Sequence, residues 1–394
     1  MKVLWLAPHP LPNNDTNGKR MHPAPWITSL AEELALRGVE ITIVTTLKRM
    51  NHEIQEFDMG AYKLVILNVP SGKIDTLTLF KTRIGKLQNY ISNVAGNFDL
   101  VHVHGTEHQY ATSLSGISIP YVISIQGLLY QYKKYISDRF TQRRLLWELG
   151  AMYEKNEIRK ADNFMCRTHW DSGSVRSLNK SARIFTVWEM IRSEFYQGIK
   201  TTGSDILFSG GANSLKGLPR ALRAFNEVLN KVDKKLHVIG GGCKWEFVEE
   251  VRIRYGLQNI RKDNVILHGG VSAGKIMELY TDCYCLYHPS LIDNSPNSVC
   301  EAQLAGLPVV ATNTGGLSSL INHGVTGLLL DSDVKNDAGT LLKLWFDNQQ
   351  RQTISENARS VALLRHDKNS ITQQVIEAYD AVKNKTNETV KAGI

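Results

Sequence analysis

Two acidic side chains, Asp293 and Glu301, stand eight residues apart across a loop rich in Ser, Pro and Asn. Glu301 opens an Ala-rich helical segment, which a β-branched strand and the pair Gly315-Gly316 follow. A loop that ends on a helix N-terminus presents free N–H groups and the positive end of the helix dipole, which suits a diphosphate. A carboxylate one turn into that helix can accept hydrogen bonds from a ribose diol. The segment therefore predicts a nucleotide site.

Both acids also have structural interpretations. Ser298-Val-Cys-Glu301 has the form of a capping box, in which the acid serves the helix start and needs no ligand. Asp293 could likewise cap loop amides, and its side chain is one methylene shorter than that of Glu. The loop before Glu301 and the spacing of the two acids favour a binding role for Glu301, and a capping residue can also bind a ligand.

A lysine occupies the corresponding place after an earlier strand. Lys216 ends the run Ser209-Gly-Gly-Ala-Asn-Ser-Leu-Lys216, which Gly217 and a helical segment follow. A cation at a strand–loop–helix junction favours phosphate binding, and the alternative is an exposed lysine at a helix start. Arg220 and Arg223, a turn or two along the helix, could add positive charge or could be solvated.

Two histidines, His102 and His104, lie on one face of a predicted strand, with Glu107 beyond them. A metal site would need such a carboxylate or a further histidine close by, so this interpretation stays open. Strand-end histidines held by hydrogen bonds are the more common case. Gly240-Gly-Gly242 lacks the spacing of a dinucleotide fingerprint.

Short apolar runs alternate with helical patterns along the chain, and this alternation predicts parallel sheets covered by helices on both faces. The pattern starts again after residue 204. The predicted fold class is therefore α/β, with two Rossmann-like domains whose sheets face an interdomain cleft. The predicted domains are residues 1–198, with a C-terminal helix at about 370–390 packed back on them, and residues 199–369. The predicted strands begin at Lys2, Val39, Leu64, Leu100, Tyr121, Asn163, Ile206, Leu236, Val265, Cys283, Val309 and Gly327.

The composition narrows the class of protein. The chain has 394 residues, 42% of them hydrophobic, and a formal net charge of +8, which suits an anionic partner. Its five cysteines form no Cys-x-x-Cys pair, so we expect buried thiols and a reducing, cytoplasmic location. The apolar run at the N-terminus is too short for a signal peptide, and no run reaches the ~18 residues of a membrane span. We expect a protein that is not integral to a membrane.

The segment from His288 to Gly316 resembles the nucleotide-sugar site of retaining GT-B glycosyltransferases of family four. The resemblance covers most of the chain and is strongest from about 205 to 330. In that family a Glu-x7-Glu signature contacts the donor sugar with its first acid and the ribose with its second, and here Asp293 stands at the first position. A Gly-Arg pair before a Lys-Gly pair supplies two cations in the family, whereas Gly211 occupies the place of the arginine in this chain.

The resemblance implies a role for individual residues. Lys216, Asp293 and His104 would act in catalysis, with His104 on the acceptor side. Gln126 lies where the family often has histidine, and it could orient a hydroxyl. The donor would be held by one set of residues: Gly18, Gly210, Lys216, Ser295, Asn297, Ser298 and Glu301. No metal is implied, although Asp331-Ser-Asp333 mimics the Asp-x-Asp motif of the other nucleotide-sugar transferase fold.

The function that the resemblance implies is transfer of a sugar from a UDP- or GDP-sugar to a hydroxyl of a saccharide or lipid-linked acceptor. Bacterial cell-surface polysaccharide or lipopolysaccharide assembly is the implied context, with no other cofactor and no nucleic-acid partner. Gln131–Lys160 carries eight Lys and Arg against four Asp and Glu, so it is either a solvated helix pair or a contact with an anionic membrane at its inner face. A nucleotide-sugar epimerase and a binding protein with reduced catalysis remain as alternatives.

Overall fold

The computed structural model describes residues 1–10, 25–136, 141–200, 202–331 and 333–392. The predicted donor contact Gly18 lies outside these residues. The described chain divides into two compact units. The second unit is Ile191–His366, and the first unit combines the chain before Ile191 with the chain from Asp367 onward.

The first unit contains a sheet in which the described strands lie in the order β3-β4-β2-β1-β5-β6-β7-β8. These strands pair in parallel, except for the antiparallel pair β3–β4. The strands β1 to β8 are Lys2–Leu6, Glu40–Lys48, Ile54–Asp58, Lys63–Val69, Leu100–His104, Tyr121–Ser124, Asn163–Cys166 and Arg183–Thr186. The described helices α1 to α6 are Pro25–Ala35, Gly72–Leu77, Lys81–Val94, Leu129–Tyr132, Gln142–Lys160 and His169–Leu178.

Burial explains which strands the sequence pattern predicted. The central strands β1 and β5 are almost completely buried, and most of their residues are apolar, as expected of strands covered on both faces. The two strands that the pattern missed, β3 and β8, lie at the edges of the sheet. None of their residues is fully buried: β3 alternates between exposed and half-buried positions, and β8 has exposed ends, so neither carries a long apolar run.

The second unit contains a sheet in which the described strands lie in the order β11-β10-β9-β12-β13-β14, and all of them are parallel. The strands β9 to β14 are Asp205–Ser209, Leu236–Ile239, Val265–Gly269, Cys283–His288, Val309–Thr312 and Leu328–Leu330. The helices α7 to α13 are Leu218–Val228, Trp245–Tyr255, Ala273–Asp282, Asn297–Ala305, Leu317–Leu320, Lys335–Phe346 and Asn348–Arg365. The predicted α/β class with two parallel sheets is confirmed.

The last helix, α14 (Lys368–Ala392), belongs to the first unit. Its Tyr379 is completely buried, and the phenolic oxygen lies 3.1 Å from Trp5 Nε1 and 2.6 Å from His102 Nδ1. Lys383 at the same helix pairs with Asp99 at 2.7 Å. These contacts fix the C-terminal helix against β1 and β5 of the first unit.

The second unit begins before the predicted boundary at residue 199. The turn Ser193–Gln197 packs against α9 and α10, with the ring of Phe195 5.9 Å from that of Tyr280. The five cysteines are free thiols, and four of them are buried. No helix in the described parts of the chain is both long enough and apolar enough to cross a bilayer.

Candidate functional site

Three loops meet at the carboxyl ends of β9, β12 and β13, and we call them the three-loop cluster: residues 210–217, 289–296 and 313–316. The amide of Leu291 donates to the carbonyl of Leu215 at 2.8 Å, which joins the first loop to the second. The amide of Gly316 donates to the carbonyl of Asp293 at 2.9 Å, which joins the second to the third. Ligands of doubly wound sheets bind at this end of the strands.

Glycines allow these loops to approach so closely. Gly217 and Gly315 both have positive φ values, of 80° and 57°. A Cβ atom on Gly217 would overlap the carbonyl oxygen of Pro289, and one on Gly315 would overlap that of Asp293. The cluster is therefore a close backbone-to-backbone assembly that fixes the position of Asp293.

Asp293 is buried within the cluster, and side chains of the first loop and of the end of β12 contact its carboxylate. The ammonium of Lys216 pairs with Oδ2. His288 Nε2 lies 3.1 Å from the same oxygen, and the amide of Asn294 donates to Oδ1 at 3.2 Å. The structure thus brings together two of the predicted catalytic residues, Lys216 and Asp293.

The contacts among Asp293, Lys216 and His288 also determine which of these side chains are charged. Burial by itself would raise the pKa of Asp293, but Lys216 and His288 together hold it well below its usual range. Burial lowers the pKa of His288, so its ring is neutral at pH 7. Asp293 is therefore a carboxylate whose charge one lysine balances, and that lysine is half-exposed.

The glycine pair before Lys216 has a structural role. The amides of Gly210 and Gly211 both donate to the carbonyl of Ile239 at 2.9 Å. A Cβ atom on Gly210 would overlap the side chain of Lys216, and one on Gly211 would overlap the backbone of Gly240 and Gly241. Gly211 also has a φ of 52°. The position where the family has arginine therefore has no room for a side chain.

The two arginines that could have replaced that charge are engaged elsewhere. Arg220 forms two hydrogen bonds to Asp337, at 2.7 and 2.8 Å, and Asp337 is completely buried. The guanidinium of Arg223 lies over the ring of Tyr255, 4.9 Å from its centroid. Of the two alternatives for these arginines, the structure shows neither a solvated Arg220 nor a contact with the three-loop cluster, because Arg220 is bound to Asp337 and Arg223 lies over Tyr255.

Glu301 does not form the capping box that was the alternative to a binding role. Helix α10 begins at Asn297 with Pro296 at the N-cap, so Ser298 is already inside the helix and caps nothing. Glu301 Oε1 instead accepts from Arg192 Nη2 at 2.7 Å and Nε at 3.2 Å. Arg192 carries no sequence signal of this role, because it lies 109 positions from its partner and belongs to no recognisable motif.

Burial also shifts the pKa of Glu301. It raises the pKa of the carboxyl to about 7, although Arg192 opposes the shift. Both hydrogen bonds from Arg192 end on Oε1, so Oε2 is not engaged by Arg192. An acid one turn into a helix, oriented by an arginine, can accept hydrogen bonds from a diol.

The remaining predicted donor contacts surround the start of α10. The amides of Asn297 and Ser298 meet no acceptor among the described residues, whereas those of Val299 and Cys300 donate to Pro296. Ser295 is buried, with its hydroxyl 3.8 Å from the sulfur of Cys300. The two amides at the helix start, four and five residues after Asp293, can bind an anion.

His104, the third predicted catalytic residue, lies in the first unit. His102 and His104 are both buried, with ring centroids 3.7 Å apart. His102 bonds Tyr379 and Ser124, each at 2.6 Å, so it is held inside the sheet. His104 Nε2 is buried and has no hydrogen-bond partner among the described residues. Burial lowers the pKa of His104 well below its usual value, and it is neutral.

A polar group follows His104 at the carboxyl ends of β5, β6 and β7. Glu107 accepts from the amide of Gly127 at 2.8 Å. Arg167 donates to Gln126 at 2.6 Å and pairs with Glu189 at 3.2 Å. The structure thus places Gln126 beside an arginine that sequence analysis did not identify, where the amide can orient a hydroxyl.

Metal ligands are not grouped in the described residues, where no cluster of three His, Cys, Asp or Glu side chains could hold an ion. The acids of the Asp331-Ser-Asp333 segment have backbone contacts. The carbonyl of Asp331 accepts from Arg220 at 2.7 Å, and Asp333 accepts from the amide of Lys335 at 3.0 Å.

Two family models match the chain, and they meet at the boundary between the units. Residues 191–361 match the family described as glycosyl transferases group 1. Residues 25–191 match glycosyltransferase family 4.

Individual proteins resemble the chain along most of its length. D-inositol 3-phosphate glycosyltransferase of Paenarthrobacter aurescens is 28% identical over 366 residues, which cover 86% of this chain and 87% of that protein. Sucrose-phosphate synthase from Thermosynechococcus elongatus has a TM-score of 0.75 at 16% identity, covering 97% and 98% of the two chains. Anabaena Alr3699/HepE in complex with UDP-glucose has a TM-score of 0.68 at 18% identity, covering 97% and 100%.

Proposed function

The chain belongs to the GT-B glycosyltransferases of group 1, and from this premise we propose that it transfers a sugar from a nucleotide diphosphate sugar to a hydroxyl with retention of anomeric configuration. The observation that carries the proposal is the three-loop cluster, where Lys216 and Asp293 meet beside the free amides of α10. Glu301, paired with Arg192, lies one turn into the same helix.

The diphosphate would bind between Lys216 and the start of α10. The amides of Asn297 and Ser298 supply fixed dipoles, and Lys216 supplies the charge. Negative charge develops on the leaving phosphate as its bond to the sugar breaks, and preorganised donors of this kind stabilise it. Lys216 is then shared between the phosphate and Asp293, which frees Asp293 to accept a hydrogen bond from a sugar hydroxyl.

Glu301 would hold the ribose. Arg192 fixes the carboxylate through Oε1, and we propose that Oε2 accepts from a ribose hydroxyl. Gly210 contributes by shape, because its missing side chain lets Lys216 reach the cluster. Asp293 and Glu301 thus have the roles that the resemblance assigns to the two acids of the signature.

The proposed chemistry needs no general-base carboxylate. The bond from the sugar carbon to the phosphate oxygen breaks, and the acceptor oxygen bonds to that carbon on the same face. The acceptor proton passes to the leaving phosphate. No step requires a metal ion, since Lys216 and the helix dipole balance the charge.

The acceptor would bind the first unit. His104 is neutral and can exchange a hydrogen bond through Nε2, while Gln126 orients a hydroxyl. The name of the Paenarthrobacter relative suggests a phosphorylated polyol as one acceptor class, and the HepE complex suggests UDP as the carrier. We propose cell-surface polysaccharide or lipopolysaccharide assembly at the inner face of the membrane as the context.

A thermal-shift screen of UDP and GDP, followed by turnover of UDP-sugars with and without acceptors, tests the proposal. A ligand at 100 times its Kd stabilises the folded state by about 2.7 kcal/mol. We expect one of the two nucleotides to raise the melting temperature. The donor should be consumed only when an acceptor is present, and the transfer rate should be unchanged when a chelator is added. An epimerase would convert the donor in the absence of any acceptor. A binding protein would show a higher melting temperature with nucleotide but no turnover of the donor. If neither UDP nor GDP raises the melting temperature, the proposal is contradicted.

A further inference from the structure

His288 is the last residue of β12, and the loop 289–296 of the three-loop cluster follows it. Strand β12 lies between β9 and β13 in the sheet, and the backbone of His288 pairs with Ala311. The His288 side chain is 1% exposed. A buried imidazole on an inner strand has little freedom to move, so the sheet sets the position of its ring.

The ring meets two side chains of that loop through one nitrogen. Nε2 lies 3.1 Å from Asp293 Oδ2 and 2.8 Å from Ser290 Oγ, and Ser290 Oγ lies 3.4 Å from the same carboxylate oxygen. The other nitrogen, Nδ1, is buried and has no hydrogen-bond partner in the described parts of the chain. This is not the arrangement of a catalytic triad, in which the serine and the acid bond opposite nitrogens of the ring.

These contacts decide which nitrogen of His288 carries the proton. A carboxylate can only accept, so the contact with Asp293 requires a hydrogen on Nε2. A hydrogen on Nδ1 instead would turn the Nε2 lone pair toward the carboxylate and would leave a buried N–H donor unpaired. The Nε2–H tautomer therefore fits the site, and His288 donates to Asp293.

Lys216 and His288 both bind Asp293 Oδ2, but they differ in their freedom to move. Lys216 lies in the loop 210–217 with its side chain 26% exposed, and its flexible stem can turn toward a phosphate. His288 has neither the length nor the exposure to follow it. When a diphosphate draws the ammonium away, His288 stays on Oδ2.

The second carboxylate oxygen of Asp293 has different contacts. Oδ1 accepts from the amide of Asn294 at 3.2 Å, and the Asp293 side chain is 11% exposed. The Asp293 backbone is fixed, because its carbonyl accepts from the amide of Gly316. With the backbone and Oδ2 both held, the carboxylate keeps one orientation, and Oδ1 has capacity for a further hydroxyl donor.

We propose that His288 is a positioning residue of the donor-sugar subsite: its Nε2–H holds Asp293 Oδ2 while the diphosphate engages Lys216, so that Oδ1 receives a hydroxyl of the transferred sugar. This role rests on the proposed function, in which Asp293 contacts the sugar, and His288 acts through Asp293. Loss of His288 frees the carboxylate to rotate in the donor complex and leaves nucleotide binding intact.

Steady-state turnover and nucleotide binding of His288 variants test this role. The rate is measured with the donor and acceptor of the turnover assay, and binding with UDP, or with GDP if the thermal-shift screen selects it. We expect His288→Leu to lower kcat about 10- to 100-fold, because a misplaced contact to the reacting group costs up to ~10²-fold. The Kd of the nucleotide, which has no sugar, should change less than about threefold.

Further variants separate positioning from packing. His288→Gln keeps an N–H donor at a similar reach, so it should retain most of kcat, whereas Leu fills the space without a donor. His237→Leu, at another buried histidine of the second unit, is the matched control, since His237 pairs with Asp205 outside the cluster. In an Asp293→Ala background, His288→Leu should cause no further loss, as expected of residues that act as one unit.

Nitrogen NMR of protein labelled at histidine gives a measurement that is independent of turnover. The His288 signal is assigned by its absence from the spectrum of His288→Gln. We expect the Nε2–H tautomer in the unmodified chain, both before and after the nucleotide is added. An Nδ1–H tautomer would overturn the proposed role.

The outcomes separate this role from the proposed function. If His288→Leu keeps full kcat, or weakens nucleotide binding as much as it lowers kcat, His288 does not act on the sugar through Asp293, and this role alone is rejected. If the unmodified chain binds neither UDP nor GDP, the proposed function is rejected and the role of His288 with it, even where the NMR shows the Nε2–H tautomer.

Discussion

Lys216 is the residue on which the proposed chemistry depends most. Its ammonium balances the charge of the Asp293 carboxylate. Neither Gly211, which has no side chain, nor Arg220, which is bound to Asp337, supplies a second cation there. Asp293 fits its place as a short acid, because Lys216 and His288 already reach its carboxylate. A longer Glu at this position would have to move the loop or reach past these partners.

We expect Lys216→Ala to lower turnover about 10²- to 10³-fold, because one fixed charge on the leaving group is lost and none replaces it. Steady-state rates at saturating donor measure the effect. Lys335→Ala, which removes an exposed lysine of the same unit, is the matched control. A Lys216 variant with nearly full activity would show that the diphosphate binds elsewhere.

Glu301→Gln should weaken donor binding by about 1–3 kcal/mol, because a charged hydrogen-bond acceptor becomes neutral. The pKa of Glu301 is raised to about 7, so the fraction of carboxylate rises as the pH increases through 7. We therefore expect the affinity of the unmodified chain for a UDP-sugar, whose diphosphate does not titrate in this range, to increase from pH 6 to about pH 8, and that of the variant to stay flat. Titration calorimetry at several pH values measures both, and a pH-dependent variant would contradict the assignment.

At the scale of elements, the loops after β9 and β10 depend on backbone contact between glycines. A Cβ on Gly211 would overlap the backbone of Gly240 and Gly241, whereas a Cβ on Gly241 would meet nothing within 4 Å. Adding the arginine that relatives of the family have at this place is therefore expected to damage the loop rather than strengthen the phosphate site.

Gly211→Arg should lower the free energy of unfolding by about 1–3 kcal/mol or more, as overpacking does, and should abolish the thermal shift with UDP. Gly241→Arg is the matched control, and it should fold and bind normally. Chemical denaturation and the nucleotide screen give both values. A stable, active Gly211→Arg protein would mean that the loop adjusts to admit the side chain.

Helix α5 carries a buried acid that links stability to pH. Glu157 accepts two hydrogen bonds from Thr112 through Oε1, and its Oε2 is buried with no partner among the described residues. Burial raises the pKa of Glu157 to about 8. An acid with a raised pKa binds its proton more tightly in the folded state, so stability falls as the pH rises from the unfolded value toward the folded one.

We expect Glu157→Gln to remove this dependence, since Gln keeps the acceptor to Thr112 and carries no charge. The free energy of unfolding of the unmodified chain should fall more steeply than that of the variant between about pH 5 and pH 9, by an amount on the order of 3 kcal/mol. Urea denaturation at both pH values measures it. Glu32→Gln, at an exposed position in the same unit, serves as the control, and identical slopes would refute the role of burial.

At the scale of the whole molecule, the chain leaves the first unit at Ile191 and returns to it at Asp367. The returning helix α14 completes the first unit, because Tyr379 contacts both Trp5 of β1 and His102 of β5. The folding of the first unit thus depends on residues that follow the entire second unit in the sequence.

Tyr379→Phe should destabilise the first unit by about 1–3 kcal/mol, because Trp5 Nε1 and His102 lose a buried partner. The second unit should be unaffected, so the transition that UDP stabilises should keep its midpoint. Scanning calorimetry with and without UDP separates the two transitions. Tyr255→Phe, at a tyrosine that is 45% exposed, is the control. Equal loss in both transitions would show that the units unfold together.

The sequence alone determined the α/β class, most strands and the segment in which we propose that the donor binds. These features are local: buried strands carry apolar runs, and the loop from His288 to Gly316 has its residues in order. The pairs Lys216–Asp293 and Arg192–Glu301 span 77 and 109 positions, and only the tertiary structure decided them. Local pattern predicts which segments become strands or helices, whereas the order of strands in the sheet decides which loops meet. The alternative of a capping box at Ser298 does not apply, because α10 starts at Asn297. Glu301 pairs instead with Arg192, a contact that only the tertiary structure reveals.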